Sequence, residues 1–466
     1  MAKRIISIFF WLVFSIGYNY ALAQQGVAPL DIGPIKKSDR VLILAPHPDD
    51  ETIGCAGVIQ SAVKAGAAVR IVYLTNGDYN QASIIVYKKT IPLMSREFIH
   101  MGEVRRKEAV KAMGLLGVGE KNLIFLGYPD FGTFAIFSRH WGESKPYKSM
   151  LTRISAVPYK KNLSYNAPYK GESVLSDLKG ILLAYRPNKI FVSHPADTNV
   201  DHKALYLFLQ VALRDLASEN MRVRVYPYLI HCLDWPLPRH YHPELTLNLP
   251  RQFGDSSIKW RKLDLTSEQL DKKYQAILCY RSQTRISAFY LLSFARKNEL
   301  FGDYPEIRLR NQIPQKGMAL LFSGFSRIFR DPQQGYQPLV LDKTVLDEGM
   351  VSYSLSEGVL FIRVDKPKHL NRRFSVIFYL FGYSKNTPFS LMPKLRIVAR
   401  PHRIRVFDAD RLIQPQGIDL SSKASELILK IPLGLLGNPD FILTSVRASN
   451  KGASMDSIGF RRINII

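Results

Sequence analysis

Hydrophobic positions in the first two thirds of the chain fall into short, almost wholly apolar runs separated by longer amphipathic stretches. Val41-Leu42-Ile43-Leu44-Ala45 is the first run, Val69-Arg70-Ile71-Val72-Tyr73-Leu74 the second, Leu123-Ile124-Phe125-Leu126 the third and Lys189-Ile190-Phe191-Val192-Ser193 the fourth. Apolar runs of roughly 4–8 residues with little polar alternation predict strands covered on both faces. Between them, Thr52–Ala65, Arg105–Leu116, Ser173–Tyr185 and His202–Leu216 read as helices, and Gly66 and Gly117 supply stops. Strands alternating with helices predict an α/β fold, a Rossmann-like and mainly parallel sheet with helices on both faces. Tyr128 to Tyr169, rich in Tyr, Lys, Ser and Pro, lacks a period and reads as an inserted loop close to the functional end of that sheet.

The pattern changes after about residue 305. Val359–Val364, Phe374–Leu380 and Leu395–Ala399 read as strands, separated by turns rich in Pro, Gly, Asn and Asp. This predicts an all-β, sandwich-like C-terminal domain. The expected layout is a polar lead-in at 24–39, an α/β domain at 40–305, a linker at 306–337 around Asp331-Pro332 and Gly335, and the β domain at 338–466.

The first residues carry a further pattern. Lys3-Arg4 precedes the apolar run Ile5–Ile16, and Ala21-Leu22-Ala23 places small residues where a signal peptidase reads them. This predicts a signal peptide at 1–23 and an exported protein, periplasmic or secreted. With 64 Lys+Arg against 39 Asp+Glu the chain has a net charge of +25. A basic surface of this kind favours an anionic polysaccharide or a membrane surface. No zinc-finger spacing or nucleic-acid motif accompanies it, so nucleic acid is not an expected partner. The three cysteines, Cys55, Cys232 and Cys279, lack metal-type spacing and read as free thiols.

The chemistry concentrates in two loops, each following a strand and preceding a helix, where open parallel sheets bind ligands. Ala45-Pro46-His47-Pro48-Asp49-Asp50-Glu51 puts an imidazole beside adjacent carboxylates. Burying such a set is costly without a positive partner, and a divalent cation answers that cost. His47 and Asp50 could supply two ligands, leaving Asp49 to take a proton from water. Ser193-His194-Pro195-Ala196-Asp197-Thr198-Asn199-Val200-Asp201-His202 occupies the equivalent place after another strand and offers His202 as a third ligand.

These segments resemble the PIG-L/LmbE-like family of metal-dependent de-N-acetylases over roughly residues 38–305. His47-Pro48-Asp49-Asp50-Glu51 is the most specific motif. Thr75-Asn76-Gly77-Asp78, Arg105–Ala109 with Leu116-Gly117, Leu126–Asp130 and Asp201-His202 support it. The resemblance implies one Zn²⁺ per chain, held by His47, Asp50 and His202, with Asp49 as general base and Arg105 and Asp130 in contact with a sugar. Fe²⁺, Co²⁺ or Mn²⁺ would also suit such a ligand set. Family members often carry a histidine where this chain has Asn199, three residues before the last ligand. An amide there can donate to an oxyanion but cannot deliver a proton; His194 or His231 could take over, and His231 could also meet the substrate. The expected activity is removal of N-acetyl groups from N-acetylhexosamine-containing glycans or glycolipids. The alternatives are cleavage of another small amide conjugate, or glycan binding by an inactive domain. Lys430–Gly437 resembles a turn of carbohydrate-binding sandwiches.

Overall fold

A computed structural model describes residues 29–79, 94–253, 258–311, 342–346, 349–365, 374–400, 403–422, 426–450, 453–457 and 459–466. The expected signal peptide lies outside these residues, as do most of the linker and part of the lead-in. Among the described residues, no helix is long and apolar enough to cross a membrane.

The N-terminal part is built on an eight-stranded sheet. Its strands are β1 (Leu30–Asp31), β2 (Arg40–Ala45), β3 (Ala68–Thr75), β4 (Leu123–Tyr128), β5 (Lys189–Ser193), β6 (Arg224–Tyr228), β7 (Lys259–Asp264) and β8 (Asn298–Asp303). They are ordered β1-β7-β8-β6-β5-β2-β3-β4. The block β6-β5-β2-β3-β4 is parallel throughout, while β8 joins antiparallel to both β6 and β7. Alternate residues of each central strand enter different cores. Val41, Ile43 and Ala45 pack with α1 (Asp50–Lys64), α2 (Ser95–Leu115) and α6 (Ser267–Ile277) on one face. Leu42 and Leu44 pack with α4 (Gly171–Tyr185) and α5 (Val200–Asp215) on the other. Covering both faces is what turns these strands into continuous apolar runs.

Two expectations need correction. The stretch Tyr128–Tyr169 is not loop throughout: Thr133–Arg139 forms a short helix, α3, because Ile136 and Phe137 are buried and the Phe137 ring meets Phe208 of α5 edge-on at 4.9 Å. The segment expected as linker also starts with structure. β9 (Ile307–Leu309) pairs in parallel with the distant strand β21 (Arg461–Ile465). None of the three cysteines forms a disulfide; Cys55 and Cys279 are buried and Cys232 is half-buried.

The C-terminal part is a two-sheet sandwich. One sheet contains β10 (Asp342–Leu346), β11 (Gly349–Ser356), β12 (Val359–Asp365), β18 (Glu426–Pro432) and β17 (Asp419–Ser422), in that order. The other runs β16 (Arg411–Ile413), β15 (Arg403–Asp408), β14 (Lys394–Arg400), β13 (Phe374–Tyr383), β19 (Phe441–Asn450), β21, β9, with β20 (Ala453–Ser457) paired to β19. Here too period-2 alternation serves two cores. Val376, Phe378 and Leu380 of β13 face the sandwich interior. Phe381 and Tyr383 join Phe137, Trp141 and Phe208 in the core of the α/β part. The second sheet is therefore a middle layer, buried on both faces where it meets the α/β unit.

Candidate active site

His47 sits in the turn after β2, held from both sides. Its backbone N–H donates to Asp50 Oδ2 at 2.9 Å, and Pro46 O accepts from Thr75 N at 3.0 Å. Asp49 precedes α1 with φ 126° and ψ −30°, a left-handed-side conformation that costs a non-glycine residue about 1–3 kcal/mol. That kink turns the chain directly into the helix, so Asp49 and Asp50 diverge. Asp50 Oδ2 lies 3.1 Å from His47 Nδ1 and 3.1 Å from His202 Nε2, the latter from the first turn of α5. Two ligands about 2.1 Å from a tetrahedral metal are separated by about 3.4 Å, so the three side chains lie close to the spacing of one metal's ligand atoms.

The chemistry of the set fits a cation as well. Asp49, Asp50, Asp130, Asp197 and Asp201 are all buried around His47, His202 and the guanidinium of Arg105. The metal-facing Nε2 of fully buried His202 lacks a hydrogen bond of good geometry, a costly condition that coordination would remove. Burial alone would lower both histidine pKa values. The carboxylates prevail: Asp130, Asp201 and Asp50 hold His47 well above its usual range, and Asp197 and Asp50 push His202 to about 9. A bound divalent ion would take the place of those protons.

Carboxylates fix the outer edges of the imidazoles, as is usual for metal-binding histidines. His202 Nδ1 lies 3.0 Å from Asp197 Oδ2. Asp197 is itself pinned by the backbone N–H groups of Asn199, Ile230 and His231 at 2.9, 3.1 and 2.9 Å. His47 Nε2 lies 3.1 Å from Asp130 Oδ1 and 3.2 Å from Asp201 Oδ2. Asp201 accepts from Phe131 N, Thr133 N and Thr133 Oγ1. Asp197 and Asp201 were missed as functional residues. Both stand in the quoted loop, but nothing in their spacing says that they turn inward toward two different imidazoles.

Arg105, expected at the substrate, is engaged elsewhere. It lines the cavity, yet its guanidinium donates to Pro48 O at 2.7 Å and Gly77 O at 3.0 Å, and approaches Asp49 Oδ1 at 3.2 Å. These contacts hold its guanidinium against Asp49. Glu51 supports Asp49 from behind: its Oε2 accepts the Asp49 N–H at 3.1 Å, and its other oxygen accepts from Thr52 and Tyr280. Burial raises the Asp49 carboxyl to about 8 against the opposing pull of Arg105, and raises Glu51 to about 7.

A cavity of about 390 Å³ opens over this cluster. Its walls include His47, Asp49, Asp50, Arg105, Asp130 and Asn199, then Tyr79, Phe131, His231 and Tyr290. Asn199 caps α5, its side-chain oxygen accepting from Asp201 N at 2.8 Å. That leaves the amide NH₂ as its remaining donor. The His231 ring stacks on Tyr290 at 6.0 Å and meets His202 edge-on at 4.8 Å. His194, expected as a possible catalytic group, is not among the residues lining this cavity. Its ring stacks on Trp260 at 5.7 Å, its Nδ1 accepts from Ala196 N, and burial pushes it down to about 3.

These features define an α/β protein with a buried His₂Asp cluster at the carboxyl ends of parallel strands, beside a separately held carboxylate. Residues 42–213 match the PIG-L family, described as GlcNAc-PI de-N-acetylase. A probable N-acetyl-alpha-D-glucosaminyl L-malate deacetylase 2 of Bacillus anthracis is 33% identical over 96 residues, 21% of this chain and 38% of the relative. A mycothiol S-conjugate amidase of Streptomyces coelicolor is 37% identical over 93 residues, 20% of this chain and 29% of the relative. The chain thus spans well under half the length of either. The solved N,N'-diacetylchitobiose deacetylase of Pyrococcus horikoshii aligns over 54% of this chain and 78% of its own, at 19% identity and a TM-score of 0.33.

Proposed function

We propose that the protein is a divalent-metal-dependent hydrolase that removes the acetyl group from an N-acetylated sugar within a glycan or glycolipid. One observation carries this reading. Three ligand atoms converge at Asp50 Oδ2, while the neighbouring carboxylate, Asp49, is held off that cluster by Arg105 at the cavity wall. The names of the two curated relatives, a sugar deacetylase and a thiol-conjugate amidase, support cleavage of an amide.

Zn²⁺ held by His47, Asp50 and His202 would supply Lewis-acid activation of water and of an amide carbonyl. The chain's own residues do the rest. The Asp49 carboxylate takes a proton from the attacking water and returns it to the departing nitrogen. Arg105 and Glu51 keep Asp49 in place through both transfers. The Asn199 NH₂ stands at the cavity wall to donate to the carbonyl oxygen as it gains charge. His231, stacked on Tyr290, also lines that wall, where its ring meets the substrate. Asp130 and the Tyr79 and Phe131 rings, 5.0 Å apart, line the wall where a pyranose would lie.

The test is acetate release from N-acetylglucosamine oligomers and bacterial envelope glycans, with chelator and then zinc. Chelator-sensitive, zinc-restored release is expected. Asp49→Asn should lose about 10²–10⁴ in kcat while keeping its metal; near-parent turnover by that variant would sink the assignment. A second reading, favoured by the amidase relative, keeps the site and changes the amide. Release of amine from a thiol-conjugate amide with none from glycans would select it. The Lys3-Arg4, Ile5–Ile16 and Ala21-Leu22-Ala23 pattern supports export, which amino-terminal sequencing of the protein from cell fractions would test.

A further inference from the structure

We infer that the C-terminal sandwich braces the metal-binding loop, with Gly459 as its contact point and a positioning residue for the site. The inference rests on the reading that His47, Asp50 and His202 hold a metal.

The loop between β5 and α5 begins with His194, passes through Pro195-Ala196, and delivers Asp197 and then His202. Each part of its first turn is gripped from outside. His194 lies between Trp260 at 5.7 Å and Tyr304 at 5.3 Å. The guanidinium of Arg461, in the sandwich strand β21, sits 4.0 Å over the Tyr304 ring and donates to Pro305 O at 3.1 Å. Pro195 O accepts the backbone N–H of Phe460 at 3.1 Å. The Phe460 ring is anchored in the sandwich by Phe381, stacked at 6.0 Å, and touches Phe134 of α3 at 5.8 Å.

Gly459 makes the closest approach. A Cβ there would lie 2.6 Å from Ala196 Cβ, 2.7 Å from its Cα and 2.9 Å from its N. Two of these three atoms are backbone, so an added methyl must push the loop itself rather than the end of a flexible side chain. Ala196 immediately precedes Asp197, whose carboxylate holds His202 Nδ1 at 3.0 Å. Displacing such a supporting carboxylate costs about 10–100-fold in metal affinity. The sandwich therefore sets the position of His202 through the loop that precedes it.

The experiment measures zinc affinity of the metal-free full chain by competition with a chromophoric chelator, so it does not depend on turnover. Gly459→Ala should bind at least tenfold more weakly than the parent while keeping its circular dichroism spectrum. Gly459→Ala combined with Ala196→Gly, which removes the nearest opposing methyl, should recover part of that loss. A folded Gly459→Ala that binds as tightly as the parent overturns the brace. Should Gly459→Ala not fold, Phe460→Leu, which keeps the backbone bond and loses the ring stack, should still weaken binding; parent-like affinity in a folded Phe460→Leu overturns it. A parent that takes up no zinc overturns the metal assignment, and the brace with it.

Discussion

Gly77 shows how a single position governs a side chain far from it in sequence. It sits at φ +68°, and a Cβ on it would fall 2.0 Å from Arg105 Nη1. The guanidinium that holds Asp49 therefore passes through the space that any other residue would occupy. Gly77→Ala is expected to displace Arg105, release Asp49 and lower kcat about 10²-fold, the scale on which small misplacements act. Steady-state kinetics beside a circular dichroism spectrum checks this, and an active Gly77→Ala would show that Arg105 does not position the base. At this scale the sequence was informative where function crowds residues together. His47, Asp49 and Asp50 stand in one turn, and the cost of burying them already pointed to a cation. Glu51, Asp197 and Asp201 were legible only as letters in the same motifs. Their tasks arise from contacts such as Glu51 with Tyr280, across 229 positions, which no local spacing encodes.

Helices and strands of the α/β unit are tied by one buried ion pair. Lys273 of α6 lies 2.8 Å from Glu299 of β8, both under 2% exposed, and Glu299 also accepts from Gly57 N and Val58 N in α1. Three elements thus share one carboxylate. Lys273→Met would leave that charge buried without its cation and should cost about 3–5 kcal/mol, read from urea unfolding. A loss below about 1 kcal/mol, the scale of an exposed pair, would mean the site relaxes or hydrates. Elements buried on both faces, β2 to β5, were readable as apolar runs. β7 (Lys-Trp-Arg-Lys-Leu-Asp) is half exposed and carries no strong period, and the narrow stripe that α6 buries, Leu270, Lys273, Ala276 and Ile277, is interrupted by a lysine. β6 contains Pro227 inside a parallel ladder, which conceals it further.

Over the whole molecule, the two units share a core rather than a flexible joint. The sequence showed a β domain but not this contact, because Phe381 and Phe137 are remote in the chain and read simply as strand and loop residues. Lys394 lies in the shared layer, its ammonium donating to Phe389 O and Met392 O and lying 4.0 Å over the Phe389 ring. Burial pushes it down to about 7, against about 10.4 for a free lysine. A lysine with a depressed folded pKa opposes folding fully below pH 7. The opposition fades as pH rises toward 10.4, where the unfolded chain also loses the proton. The Tm of the parent minus that of Lys394→Met should therefore increase between about pH 7 and pH 9.5. Calorimetry at those two values checks it, and a flat difference would mean that Lys394 keeps its charge when folded.

The parallel pairing of β9 with β21 has a consequence in time. Ile307 meets Ile463 across 156 positions, so the segment leaving the α/β unit waits for its partner until that much more of the chain has emerged. Phe460, which closes onto Pro195, arrives with that same partner. Until then the sheet has an open seam, and an unpaired strand edge invites pairing with another molecule. Removing residues 459–466 would recreate that unfinished state in the folded protein and unfasten the sheet and the loop before His202 together.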